Sequence, residues 1–475
     1  MIFNSLEFLI FITIFFAFWP FLRNDKNLKW FFITFMSFIF YGWWDWRFLF
    51  LIIGSGLLDF WCGLKMTQTT KNKKFFLLLS IFGNVAGLSV FKYGFFIGTL
   101  LEDIFLLLGS NINLVSKIPD FTLIVPVGIS FYTFQSMSYS IDIYNDKLKP
   151  TKNLLHFFSF LSMFPQLVAG PIIRAKDLLI QLDSNRKPKN IEIWNGLKLI
   201  VFGLFQKMVI ADNIAVFVDA AYDGKTHFDG TIYWWFVIIG FGFQIYNDFC
   251  GYSLIARGIA KCMGLHFRIN FNHPYISESL REFWTRWHIS LSTWFRDYLY
   301  IPLGGNKKGL TLGVLFMVIT MVISGIWHGA NYTFIFWGLF HGIFLAIERL
   351  TKWNYYLSRF SFGRCINLLI TFLTVMLSWN LFRSSDITQS LNIFNKLLIF
   401  KSTDFSFISQ NFNPLFFLSI GLIIELLAFI RKKTKFLFLS FYSQYWIKES
   451  FILAIAIVFI FLFHGQGKTF IYFQF

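Results

Sequence analysis

A chain of 475 residues that is 56% hydrophobic, 22% aromatic and only 14% charged is composed for lipid rather than water. Apolar runs long enough to span a bilayer recur from end to end, which excludes a soluble globular enzyme and predicts an all-α polytopic membrane protein. The net charge of +17 does not indicate a nucleic-acid partner, because the basic residues gather in short loops between apolar runs, as cytoplasmic loops do.

Taken in order, residues 1–20 lack a basic leader region and a cleavage site and read as a retained first span. Arg23, Lys26 and Lys29 place the next loop inside and the N-terminus outside, so the aromatic turn Tyr41–Arg47 falls at the outer interface. Lys65, Lys71, Lys73 and Lys74 mark another inner loop. The 75–108 segment is too long for one upright helix and predicts a kink near Lys92–Gly94. The loop Asn111–Asp120 falls outside, and Lys147, Lys149 and Lys152 fall inside. Residues 153–173 have basic sequence on both sides and contain Pro165, Gly170 and Pro171, the pattern of a re-entrant segment.

Spans near 192–216 and 231–253 follow, joined by an acidic outer loop (Asp219, Asp223, Asp229) and closed by an inner loop, Arg257–Arg268. Further spans are expected near 310–326, 331–348, 366–383, 413–430 and 449–465, with inner basic loops at Arg349–Arg364 and Arg431–Lys435. The expectation is about 11–12 transmembrane helices plus re-entrant or interfacial helices, in a single domain over 1–475, with both termini extracytoplasmic.

The stretch from Arg281 to His341 carries the chemistry. Arg281, Glu282, Arg286, Arg296 and Asp297 would together make a lipid-facing helix unfavourable by about 10 kcal/mol. Trp284, His288, Leu291 and Phe295 recur at helical spacing, so 281–297 reads as one amphipathic helix at the interface or sunk into protein. Pro302, Gly304 and Gly305 then impose a turn. His328 ends an apolar run, and an imidazole there is either a packed histidine or a general base for acyl transfer. Asn331, three residues on, is a candidate oxyanion donor. His288 is a second acid/base, an orienting partner, or a ring packed under Trp284 and Trp287.

His341 reads as structural. Asp248, a carboxylate within an apolar run, is a functional candidate or a hydrogen-bonded structural group. Tyr472, in the C-terminal FIYFQF, is an interfacial anchor or a phenolic acyl carrier. Neither the four cysteines nor any histidine pair has metal-ligand spacing, so no metal is expected.

The segments PVGISFYTFQSMSY (Pro126–Tyr139), FPQLVAGPIIR (Phe164–Arg174), FWTRWHISLSTWFRDYLYIPLGGN (Phe283–Asn306) and SGIWHGANYTFIFWG (Ser324–Gly338), in this order, resemble the membrane-bound O-acyltransferase family in its bacterial, polysaccharide-acetylating branch. The resemblance implies helices around a central tunnel that brings a cytoplasmic acyl donor to an extracytoplasmic acceptor. It makes His328 the catalytic residue and His288 a tunnel-lining one, with Trp287, Trp327, Asn331 and Asp248 as candidate tunnel or substrate contacts. It implies acetyl-CoA or another acyl thioester as donor substrate, with no bound cofactor. The acceptor would be a polysaccharide, reached through a periplasmic SGNH-type acetyltransferase partner at the bacterial inner membrane.

A similar D-alanyl transfer system uses a separate peptide with an acyl-accepting tyrosine, which favours Tyr472 as a carrier in this chain. The family's usual DFSGYSD reads DFCGYSL here, with Cys250 and Leu254 replacing Ser and Asp. The competing class is a transporter, flippase or scaffold for a periplasmic acyltransferase, without chemistry of its own.

Overall fold

A computed structural model describes residues 1–69, 71–110, 112–118, 125–168, 170–434, 446–465 and 467–471; Tyr472 and the part of the outer loop at Asn111 and 119–124 lie outside these. Every regular element among the described residues is helical. The chain forms two compact units, Met1–Ile193 with Ile259–Arg268, and Trp194–Gly258 with Ile269–Phe475.

The first unit opens with α1 (Leu6–Leu22), α2 (Lys26–Asp45), α3 (Leu49–Gln68), α4 (Lys73–Phe91) and α5 (Gly94–Leu107). Side-chain caps start the first two: Ser5 Oγ accepts from the Phe8 amide at 3.2 Å and Asp25 from Leu28 at 2.9 Å. On α1 the buried face Phe8, Phe11, Phe15 and Trp19 recurs every three or four residues, while Leu9, Ile14, Phe18 and Phe21 stay exposed for lipid. The break between α4 and α5 at Lys92–Tyr93 is where the kink was expected.

Helix α6 (Ile129–Tyr144) is buried almost all round, the mark of a core helix. Helices α7 (Leu154–Leu161) and α8 (Phe164–Leu167) are short and buried in protein, so the backbone interrupted between them is covered by the chain. Phe11 and Phe15 of α1 meet Phe164 of α8 with ring centroids 5.1 and 5.0 Å apart. Helix α9 (Ala175–Asp183) follows in the same unit.

In the second unit α10 (Asn190–Leu204) passes through a π-helical turn, Phe205–Ala211, into α11 (Asp212–Tyr222). Helix α12 (Thr231–Met263) is longer than expected and takes in Arg257 and Lys261, which the sequence had assigned to a loop. Close backbone approach supports its extension: a Cβ on Gly258 would lie 2.5 Å from the Gly196 carbonyl, and one on Gly251 2.7 Å from that of Gly203.

Next come α13 (Leu280–Arg286), α14 (Ile289–Phe295), a π turn at Arg296–Tyr300, α15 (Ile301–Leu303) and α16 (Gly309–His328). The last group is α17 (Tyr332–Thr351), α18 (Trp353–Leu357), α19 (Gly363–Arg383), α20 (Ile387–Leu398), α21 (Ser406–Gln410), α22 (Phe412–Thr434) and α23 (Trp446–Phe463).

Seven helical stretches among the described residues are long and apolar enough to cross a membrane, and this is a multi-pass membrane protein. The number is below the 11–12 expected because neighbouring spans run together, as α2 and α3 do in one 43-residue stretch, Lys26–Gln68, and because α1 has 17 residues.

Candidate active site

Helices α16 and α17 form the hairpin that carries His328. They approach backbone to backbone: a Cβ on Gly325 would sit 2.2 Å from the Phe334 carbonyl, and one on Gly338 2.4 Å from that of Met321. His328 is the last residue of α16 and is only 3% exposed. Its ring lies among three aromatic rings, with centroids at 5.0 Å from Trp327, 5.0 Å from Trp337 and 5.3 Å from Phe382. The end of α16 therefore holds a buried imidazole beside aromatic rings, at the helix terminus where positive charge is best tolerated.

The expected continuous helix over 281–297 is two helices, broken at Trp287–His288, and His288 takes a left-handed conformation with φ of +40°. The break is made by residues distant in sequence. Asn270 accepts from the Ile289 amide through its carbonyl at 2.9 Å, and from the Ser290 amide and hydroxyl through Oδ1 at 3.1 and 2.9 Å. The Asn272 amide donates to the Arg286 carbonyl at 3.0 Å. These bonds replace helical ones that a straight segment would have made.

The His288 ring is fully buried, with Nδ1 3.3 Å from Asn270 Oδ1. Since that oxygen already accepts from Ser290, the hydrogen-bond pattern assigns the proton to Nδ1 and makes Nε2 the basic nitrogen.

Trp327 joins the two histidines: its ring is 6.3 Å from that of His288 and 5.0 Å from that of His328. Helix α17 also fixes the start of α13, because Glu348 accepts from the amides of Leu280 and Arg281 at 2.7 and 3.2 Å. Trp287 is 1% exposed and packs on Phe283 and Trp379 at 5.6 and 4.9 Å.

Asn331 is occupied at the start of α17, accepting from the Thr333 amide at 3.1 Å and donating to the Ser385 carbonyl at 2.8 Å. His341, read from sequence as structural, is fully buried, bonded to Ser378 Oγ at 3.0 Å, and shares Trp337 with His328. Asp248 is buried on α12 and paired with Lys207 at 2.8 Å. The lysine was not anticipated, although a charge inside the apolar stretch Asn190–Tyr222 was a visible signal.

Tyr472 lies outside the described residues, but the chain just before it is held: Phe470 packs edge-on to Phe249 at 5.6 Å, and Phe249 contacts the His288 ring at 4.6 Å. Among the described residues no three His, Cys, Asp or Glu side chains are grouped as a metal site requires.

The sequence model of MBOAT, the membrane-bound O-acyltransferase family, matches residues 146–384. The chain is 39% identical over 367 residues to the probable alginate O-acetylase AlgI of Pseudomonas putida, a match covering 77% of this chain and 73% of that protein. It is 33% identical to the peptidoglycan O-acetyltransferase of Helicobacter pylori, across 92% of this chain and 90% of that protein. It is 32% identical to the teichoic acid D-alanyltransferase of Streptococcus thermophilus, over 54% of this chain and 68% of that protein. With its two motif histidines brought around one tryptophan and its sequence matched over this extent, the chain belongs to the membrane-bound O-acyltransferase family.

Proposed function

We propose that this membrane acyltransferase takes an acetyl group from a cytoplasmic thioester, acetyl-CoA or an acyl carrier, and delivers it across the membrane for O-acetylation of an extracytoplasmic polysaccharide. The relatives act by name on alginate and peptidoglycan, and a polymer of that class is the acceptor in this reading. His328 is the general base and His288 its partner within the passage. The first acceptor is the Tyr472 hydroxyl. His328 takes its proton as the phenolic oxygen attacks the thioester carbonyl carbon; the C–S bond breaks and the thiolate leaves, later taking up a proton. A periplasmic SGNH-type partner then moves the acetyl group from the tyrosine ester to a sugar hydroxyl.

The observation that carries this reading is the placement of His328 at the buried end of α16, within reach of one indole that also touches His288. A thioester has ample driving force for ester formation, so the protein's task is alignment and proton transfer, and a fixed, water-poor setting serves both. The chain's location in the bacterial inner membrane, with both termini outside, belongs to the same proposal.

Purified protein incubated with radiolabelled acetyl-CoA tests it. Wild type retains label, His328→Ala loses it by a factor of about 100 or more, and Tyr472→Phe inserts normally but no longer supports polymer acetylation. Undiminished labelling in His328→Ala removes that histidine from the mechanism, absence of label on wild type favours a transporter or scaffold, and normal acetylation in Tyr472→Phe removes the carrier.

A further inference from the structure

Lys207 lies in the π-helical turn Phe205–Ala211 and is 2% exposed, inside a stretch otherwise apolar enough to cross a membrane. Its ammonium is 2.8 Å from Asp212 Oδ1 and 2.8 Å from Asp248 Oδ1, and it donates to the Lys468 carbonyl at 3.0 Å. An ammonium has three N–H donors, so the C-terminal segment supplies the third acceptor. Asp248 is arranged in the same way: Oδ1 faces Lys207, while Oδ2 accepts the Ile471 amide at 2.7 Å. Buried charges persist only when paired and hydrogen-bonded, and here backbone of the tail completes the set.

The π turn also opens a backbone seat. The Met208 carbonyl accepts the Gly465 amide at 3.1 Å, and Asn213 Nδ2 donates to the Phe463 carbonyl at 2.8 Å. A Cβ on Gly465 would come within 2.8 Å of Asp212 Cβ, so the tail passes too close for a side chain there. Lys468 Nζ then meets Asp219 at 2.9 Å, and Phe470, 1% exposed, packs on Tyr252 at 4.4 Å. The described segment runs to Ile471, one residue before Tyr472, beside the aromatic wall that Phe249 shares with His288.

We propose that the buried Asp212–Lys207–Asp248 ion network is a docking site for the chain's own C-terminal segment, and that Lys207 and Asp248 are positioning residues that set where residue 472 enters the reaction. The positioning half rests on the carrier reading of Tyr472; the dock itself does not.

The test uses the full-length protein in detergent, with two readouts: removal of C-terminal residues by carboxypeptidase, followed by intact mass, and the rate of Tyr472 acetylation from acetyl-CoA. The wild-type tail resists digestion. Lys207→Met and Gly465→Val release it and slow acetylation by about a hundredfold, with the KM for acetyl-CoA unchanged, while Lys207→Arg retains protection. Gly465→Val leaves every charge in place, so it stands as the test even if Lys207→Met does not fold. A tail as resistant in Gly465→Val as in wild type overturns the dock. A released tail with wild-type acetylation overturns the positioning role. A tail protected in wild type and released in the variants, with no label on Tyr472 in any of them, supports the dock and removes the carrier reading.

Discussion

His288 owes its posture to one amide side chain. Asn270 Oδ1 faces His288 Nδ1, the Ser290 amide and the Ser290 hydroxyl together, while the Asn270 carbonyl holds the Ile289 amide. The left-handed backbone at His288 is uncommon for a residue with a Cβ and persists only where its surroundings over-determine it. Asn270→Leu keeps approximate volume but deletes the shared acceptor. The expected result is a folded protein whose acetyl transfer is slower by roughly tenfold to a hundredfold, because the ring is misplaced rather than removed. Asn270→Asp preserves the acceptor and retains most of the rate. Equal rates for Asn270→Leu and wild type, measured by single-turnover labelling, would dissociate the Asn270 contact from the reaction.

At the scale of elements, helical runs were readable in the sequence wherever local pattern decided them, and unreadable wherever a distant residue did. The kink at Lys92–Tyr93 and the α16–α17 hairpin follow from charge, glycine and apolar period along the chain. The break at Trp287–His288 does not, because its hydrogen bonds come from Asn270 and Asn272, and a period-3.6 reading carries no information about them. The Lys207–Asp212 pair was missed for a related reason: five residues apart, they meet through a π turn and not through regular α spacing.

The start of α12 gives a further expectation. Asp229 precedes that helix and sits 2.8 Å from Trp234 Nε1, 2.7 Å from Lys401 Nζ and 3.1 Å from Lys396 Nζ, tying it to the end of α20 and the loop beyond. Partial burial opposes its ionisation, but hydrogen bonds from Lys401, Trp234 and the Gly230 amide outweigh that and hold the carboxyl well below the ordinary range. A depressed folded-state value means the contribution is complete above the unfolded value of about 4 and is lost as pH falls below it. With a partly exposed site the effect is about 1 kcal/mol or less. Asp229→Asn should therefore lower the melting temperature slightly at neutral pH, and the gap to wild type should narrow as the medium is acidified below about pH 4. A gap that stays constant into acid would assign the difference to packing.

For the whole molecule, the question is which compartment each loop faces, since the proposed function brings a cytoplasmic thioester and an external polymer together through one chain. Four basic residues, Arg349, Lys352, Arg359 and Arg364, stand before or at the start of α19, whereas the 384–411 segment carries two, Lys396 and Lys401, both paired with Asp229. Lysine and arginine near span ends are retained on the cytoplasmic side, so the two regions flanking α19 should lie on opposite faces, with α19 as the crossing. Ser358 and Thr388 are both exposed positions, one on each side of that helix. In a background with the exposed Cys365 replaced by serine, Ser358→Cys should react with a membrane-impermeant maleimide only after the cells are opened, and Thr388→Cys in intact spheroplasts. The opposite pattern would invert the chain, putting the α16–α17 turn that bears His328 on the cytoplasmic side. Reaction of both sites from one side would mean that α19 does not cross, and the route from donor to acceptor would then have to be built from other helices.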